Sequence, residues 1–118
     1  MGDVESAFKM LESCYFERYE EEILTPDRAN IRIRIRFSSG HMLEWNEAVV
    51  TEKGRINHLG YRYHFQDNEN KLIFRFDNTP HFPHLETFAH HKHLIDTVIA
   101  ANRPSITEVL KEAKESLS

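Results

Sequence analysis

One cysteine, Cys14, denies this chain an internal disulfide and any zinc site built from several thiolates. Glycine and proline are scarce too, four of each in 118 residues, too few for a linker-rich or low-complexity protein. No apolar run approaches the roughly 20 residues that a membrane-spanning helix needs, and no secretory leader is recognisable at the start. These absences predict a cytoplasmic protein in a reducing compartment, with no membrane partner. Nor is there an excess of positive charge. The formal net charge is −4, which argues against bulk electrostatic capture of nucleic acid. Hydrophobic residues make up 40% of the chain, enough for a single domain over residues 1–118 with one core.

Periodicity gives the expected order of elements. Residues 3–13 carry helical spacing behind a candidate cap at Asp3, and Val4, Phe8, Leu11, Tyr15, Tyr19 and Ile23 would extend it to about residue 22. The stretch from Cys14 to Leu24 fits an edge strand equally well. After a turn at Thr25-Pro26-Asp27-Arg28, residues 30–37 alternate without error, Ile31, Ile33, Ile35 and Phe37 against Arg32, Arg34 and Arg36. Further strands are expected over 42–50, 57–66 and 71–77, separated by turns at Ser38-Ser39-Gly40, Glu52-Lys53-Gly54 and Asp67-Asn68-Glu69-Asn70. Closing the last loop symmetrically sets Phe65 opposite Leu72, Tyr63 opposite Phe74 and Tyr61 opposite Phe76. Ser105-Ile106-Thr107-Glu108 after Pro104 matches a capping box, and Ile106, Val109, Leu110, Ala113 and Leu117 form the stripe of a final helix. The predicted fold class is α+β: an antiparallel meander of about four strands with N-terminal and C-terminal helices packed on one face.

Chemistry concentrates in two places. Five of the eight histidines, His81, His84, His90, His91 and His93, fall within thirteen residues, and imidazole suits proton transfer, metal binding or anion binding near neutral pH. The turn Asp77-Asn78-Thr79-Pro80 would fold this segment back over the sheet. The outward sheet face would gather Arg32, Arg34, Arg36, Glu44, Asn46, Arg62, His64, Arg75 and Asp77. Guanidinium groups match phosphate oxygens in two-point contact, and Lys92 adds a point charge nearby. The plainer reading of Arg32, Arg34 and Arg36 is a solvated ladder of ion pairs, each worth about 0–1 kcal/mol. For the histidines it is a loop whose rings cap backbone groups or stack on Phe82 and Phe88. The acidic run Glu17 and Glu20 to Glu22 reads as a solvated face. No HExxH spacing or helix supports a metal site among the histidines, so none is expected, and no cofactor either.

The stretch IRIRIRFSSGHMLEWNEAVV, then GYRYHFQD, KLIFRFDNTPHFPHLETFAHHKH and RPSITEVLKE, resembles the TumE-like toxins of bacterial and archaeal toxin–antitoxin systems. The resemblance spans about Asn30 to Glu112. Its most specific parts are Tyr61-Arg62-Tyr63-His64, Phe74-Arg75 through Asp77-Asn78, Pro80-His81 and His90-His91-Lys92-His93. Ala89 stands where the family usually has a second proline, and Leu94-Ile95-Asp96-Thr97 replaces a glycine-containing stretch. The resemblance implies a toxin encoded beside a cognate antitoxin, commonly one with a helix-turn-helix domain.

Residues and resemblance together favour a small metal-independent endoribonuclease acting on RNA. His64 would transfer one proton and one of His81, His90, His91 or His93 the other, with Arg62, Arg75, Asp77, Asn78 and Lys92 contacting substrate. Two rivals stand beside it: a binding module without catalysis, acting on a protein or nucleic-acid partner, and a metal-dependent histidine site. Neither substrate sequence nor oligomeric state follows from the chain.

Overall fold

The computed structural model describes residues 14–80 and 82–117. Its strands are β1 (Cys14–Thr25), β2 (Arg28–Phe37), β3 (Met42–Glu52), β4 (Arg55–Gln66), β5 (Leu72–Asp77), β6 (His91–His93) and β7 (Val98–Ala100), followed by helix α1 (Ile106–Leu117). They form one seven-stranded sheet in chain order, and each neighbouring pair is antiparallel. This corrects the expected four strands flanked by two helices.

The differences have local causes. The helical spacing through Cys14–Leu24 gives way to the edge-strand alternative, because β1 satisfies the backbone of β2 and sets its acids against the arginines there. Glu20 pairs with Arg32 across the ladder, and Glu17 lies 3.1 Å from Arg36. The expected helix at residues 3–13 lies outside the described residues. Strands β6 and β7 are three residues each, too short for a period-2 signal; the last residues of the histidine segment, His91–His93, join the sheet between β5 and β7. The β4–β5 register also departs from the symmetric one. Tyr63 faces Phe76 and Phe65 faces Phe74, with a bulge between Phe65 and Gln66 absorbing the shift. Since the displacement is two residues, Tyr61, Tyr63, Phe65, Phe74 and Phe76 still share one face.

That face is the core. Ile35, Phe37, Leu43, Trp45 and the five aromatics of β4 and β5 bury themselves beneath Val109, Leu110 and Ala113 of α1. Glu108 N–H donates to Ser105 Oγ at 3.1 Å, fixing the start of the helix. At Gly40 (φ +92°) an added Cβ would stand 2.8 Å from Asn68 Cβ, so the β2–β3 turn needs glycine twice over. Glu47 enters the core face as well. It accepts from Tyr63 Oη–H and, at 3.1 Å, from Arg103, and lies 2.7 Å from His58 Nδ1.

Phe65 is fully buried between Phe37 and Phe74, with centroids 5.7 and 5.3 Å away. Phe65→Ala is expected to cost about 3–5 kcal/mol, read as a fall in the urea midpoint with little change in slope.

Candidate functional site

The opposite face of the sheet carries the polar side chains, and the register arranges them in rows. One row runs Arg32, Asn46, Arg62, Asp77, His91; the next runs Arg34, Glu44, His64, Arg75, His93. Neighbouring strands are about 4.8 Å apart, so His64 and His93 flank Arg75 on either side.

The rows differ in how their charges are met. Arg34 is ion-paired with Glu44 and stands 3.8 Å from Glu17, while Arg36 pairs with Glu17. These arginines form the solvated ladder. Arg62 is exposed and has no ion pair among the described residues. Arg75 Nε approaches Asp77 Oδ2 at 3.4 Å but makes no hydrogen bond among the described residues, although the atom is buried. Burial and the neighbouring Arg62 charge lower the Arg75 pKa. Two guanidinium groups with one shared carboxylate leave a local excess of positive charge.

Asp77 sits at the end of β5 and is only 5% exposed. Its Oδ1 accepts from Thr79 N–H at 3.0 Å and lies 2.7 Å from His91 Nε2; its Oδ2 lies 3.4 Å from His93 Nε2. His91 is 1% exposed, and its Nδ1 donates to the Ala89 carbonyl at 2.9 Å. The two imidazoles meet through Nε2 atoms 3.1 Å apart. Asp77, His91 and His93 each turn one donor atom inward, all within 4.8 Å of one another, and are the group among the described residues that could hold a metal ion. Phe82 stacks edge-on against both rings. Arg62, Arg75, Asp77, Thr79, Phe82 and His93 line a cleft of about 360 Å³. Burial first, and then the Arg75 charge, lowers the His93 pKa, so a neutral ring faces the cleft.

Not every residue expected at the site reaches it. His90 has the opposite parity, and its Nδ1 lies 2.9 Å from Tyr61 Oη. Lys92 projects to the helix side, where Nζ bonds Glu112 at 2.7 Å and lies over the Phe74 and Phe76 rings. Asn78 ties β4 to the turn after β5, since its Oδ1 accepts from Tyr61 N–H and its Nδ2 donates to the Leu59 carbonyl. His84 is exposed at the rim of Phe82. His81 lies outside the described residues. The structure therefore brings together Arg62, His64, Arg75, Asp77, His91 and His93. Thr79 and Phe82 were missed as lining residues. Thr79 was foreshadowed by the Asp-x-Thr turn, and Phe82 by the expected stacking of histidine rings on it.

The family model for toxin TumE matches residues 7–117, nearly the whole chain, and the chain belongs to that family. It is thus the toxin component of a toxin–antitoxin system, with an antitoxin as partner. No curated protein and no solved structure matches it. Among the described residues no helix is long and apolar enough to cross a membrane.

His64 supplies a pH signature. Its Nε2–H donates to Gln66 Oε1 at 2.9 Å, leaving Nδ1 a bare lone pair that is buried without a partner among the described residues. Burial chiefly, helped by Arg62 and Arg75 and opposed by the Gln66 bond, lowers its pKa from the ordinary 6.5. Below that value the unfolded chain takes up a proton that the folded ring refuses, so this residue's contribution to stability falls as pH drops. Urea midpoints at about pH 7.5 and about pH 5.5 should differ less in His64→Gln than in the parent chain.

Proposed function

We propose that this toxin cleaves RNA in the cytoplasm, at the cleft between β4, β5 and β6. The observation that carries the reading is that two guanidinium groups without a full complement of acids open into the same cleft as a neutral imidazole. Such a cleft fits a phosphodiester: Arg62 and Arg75 grip its non-bridging oxygens and stabilise the charge that builds on them in the transition state. A carboxylate ligand would fit the cations equally well, but it would have no use for flanking groups that move protons.

RNA carries its own nucleophile. His64, held neutral, takes the proton of the 2′-hydroxyl at its free Nδ1 once the substrate replaces the missing partner there. The 2′-oxygen attacks phosphorus and the bond to the 5′-oxygen breaks. A water held by the cluster of Asp77, His91 and His93, on the far side of Arg75, gives the leaving 5′-oxygen its proton, and the proton taken up by His64 returns to the hydroxide left behind. The products are a 2′,3′-cyclic phosphate and a 5′-hydroxyl. Glu44, opposite His64 on β3, is already engaged by Arg34 and takes no part. The antitoxin is proposed to carry a helix-turn-helix domain, in keeping with the resemblance.

Purified protein incubated with total RNA tests this. His64→Ala should slow cleavage by about 10²–10⁴-fold, and Arg62→Ala or Arg75→Ala by about 10²–10³-fold. Folded variants that cut RNA at the parental rate would remove the mechanism. Growth arrest with intact RNA, lost on charge reversal at Arg62 and Arg75, would establish a binding module in its place.

A further inference from the structure

The hydrogen-bond donors and acceptors around Asp77 do not match. A carbonyl oxygen can only accept, so the 2.9 Å contact from the Ala89 carbonyl fixes the hydrogen of a neutral His91 on Nδ1. Its Nε2 then presents a lone pair to Asp77 Oδ1 at 2.7 Å and to His93 Nε2 at 3.1 Å. These atoms converge at hydrogen-bond distance with no hydrogen assigned between His91 and the carboxylate. A cation between them would be met by all three donor atoms, which lie within 4.8 Å of one another.

We propose that Asp77, His91 and His93 are the ligands of one divalent first-row transition metal ion. Two imidazoles and one carboxylate are a donor set of the right type and number, leaving open coordination positions for water or substrate. The surroundings have the features that orient metal ligands. The Ala89 carbonyl sets the His91 tautomer, the Thr79 N–H steadies the carboxylate, and Phe82 packs beside both rings. An ion there adds positive charge beside Arg75, and two of its ligands, Asp77 and His93, line the cleft. An anionic ligand bridging ion and guanidinium relieves that repulsion, and a phosphodiester oxygen is such a ligand.

The metal site itself stands apart from RNA cleavage; only its part in the reaction rests on that reading. A water on the ion donates the proton taken by the leaving 5′-oxygen, remains as hydroxide, and regains the proton taken up by His64. This departs from the metal-free chemistry expected from histidine spacing. That spacing suggested no motif because the ligands sit on adjacent antiparallel strands, not on one helix.

The test uses the full chain stripped with chelator, then titrated with Zn²⁺ by calorimetry and with Co²⁺ by visible absorption. One equivalent should bind, and Asp77→Asn and His93→Gln should each weaken binding by about 100-fold or more while keeping the parental circular dichroism. As a check that needs no variant, Co²⁺ should broaden the ring signals of His91 and His93 and spare His41 and His84. Absence of binding, unchanged affinity in both folded variants, or broadening confined to other histidines overturns the site. Zn²⁺ held by a protein that leaves RNA intact supports the site and removes the cleavage reading. RNA cut at full rate by the stripped protein in chelator overturns the ion's part in the reaction.

Discussion

The site depends on the side of the sheet to which β6 turns its histidines. Asp77 is paired with Arg62 on β4 and with His91 on β6, so three strands deliver one side chain each to a single row. Side chains alternate along a strand, and a one-residue slip of β6 would send His91 and His93 toward the helix and Lys92 toward the cleft. What prevents the slip lies on the other face. Lys92 reaches Glu112 of α1 at 2.7 Å while its charge rests over the Phe74 and Phe76 rings. The slipped arrangement would strand Glu112 and place imidazoles against phenyl rings. A lysine that touches nothing in the cleft therefore sets which residues do.

The two faces also treat polar atoms differently. On the helix side Glu47 is nearly buried, yet Tyr63, Arg103 and His58 surround it, and Tyr63 stacks on Trp45 at 3.5 Å between centroids. Burial together with the adjacent Glu47 raises the Tyr63 pKa, so the phenol stays a donor. That network is closed. Among the described residues, the cleft side has the buried atoms without hydrogen-bond partners, His64 Nδ1 and Arg75 Nε, on residues directly opposite in the β4–β5 ladder. A native fold satisfies nearly all its buried polar atoms, and a pair of exceptions in one ladder position is what the proposed substrate site would explain.

Much of this arrangement was legible in the sequence because it follows from parity. The alternation of Ile31 to Phe37, the inward Leu43 and Trp45, and the split of β4 into aromatic and basic faces all survive in the structure. The site residues of β4 and β5 follow directly from that split. Other parts failed for physical reasons. The β1 segment has spacing compatible with either periodicity, and a tertiary partner decided between them. The β6 strand is shorter than any pattern, so His90, His91, Lys92 and His93 could not be sorted by face until the pairing with β5 did so. Glu47 and Arg103, 56 residues apart, carry no local mark of their contact.

An acidic chain with a cleft for an anion is not a contradiction once the distances are considered. The acids Glu17, Glu20, Glu21 and Glu22 lie on β1, at the sheet edge, and Glu17 is spent on Arg34 and Arg36. From β1 to β4 there are three strand spacings, about 14 Å, which exceeds the screening length of about 8 Å at physiological salt. The acidic edge therefore does little to the potential above Arg62 and Arg75, whereas those two cations and the low-exposure wall around Asp77 act at contact range. Net charge reports how the whole molecule meets other molecules at long range. Recognition of a phosphate, as proposed for this cleft, would be governed by the few side chains within a screening length of it, and there the balance is positive.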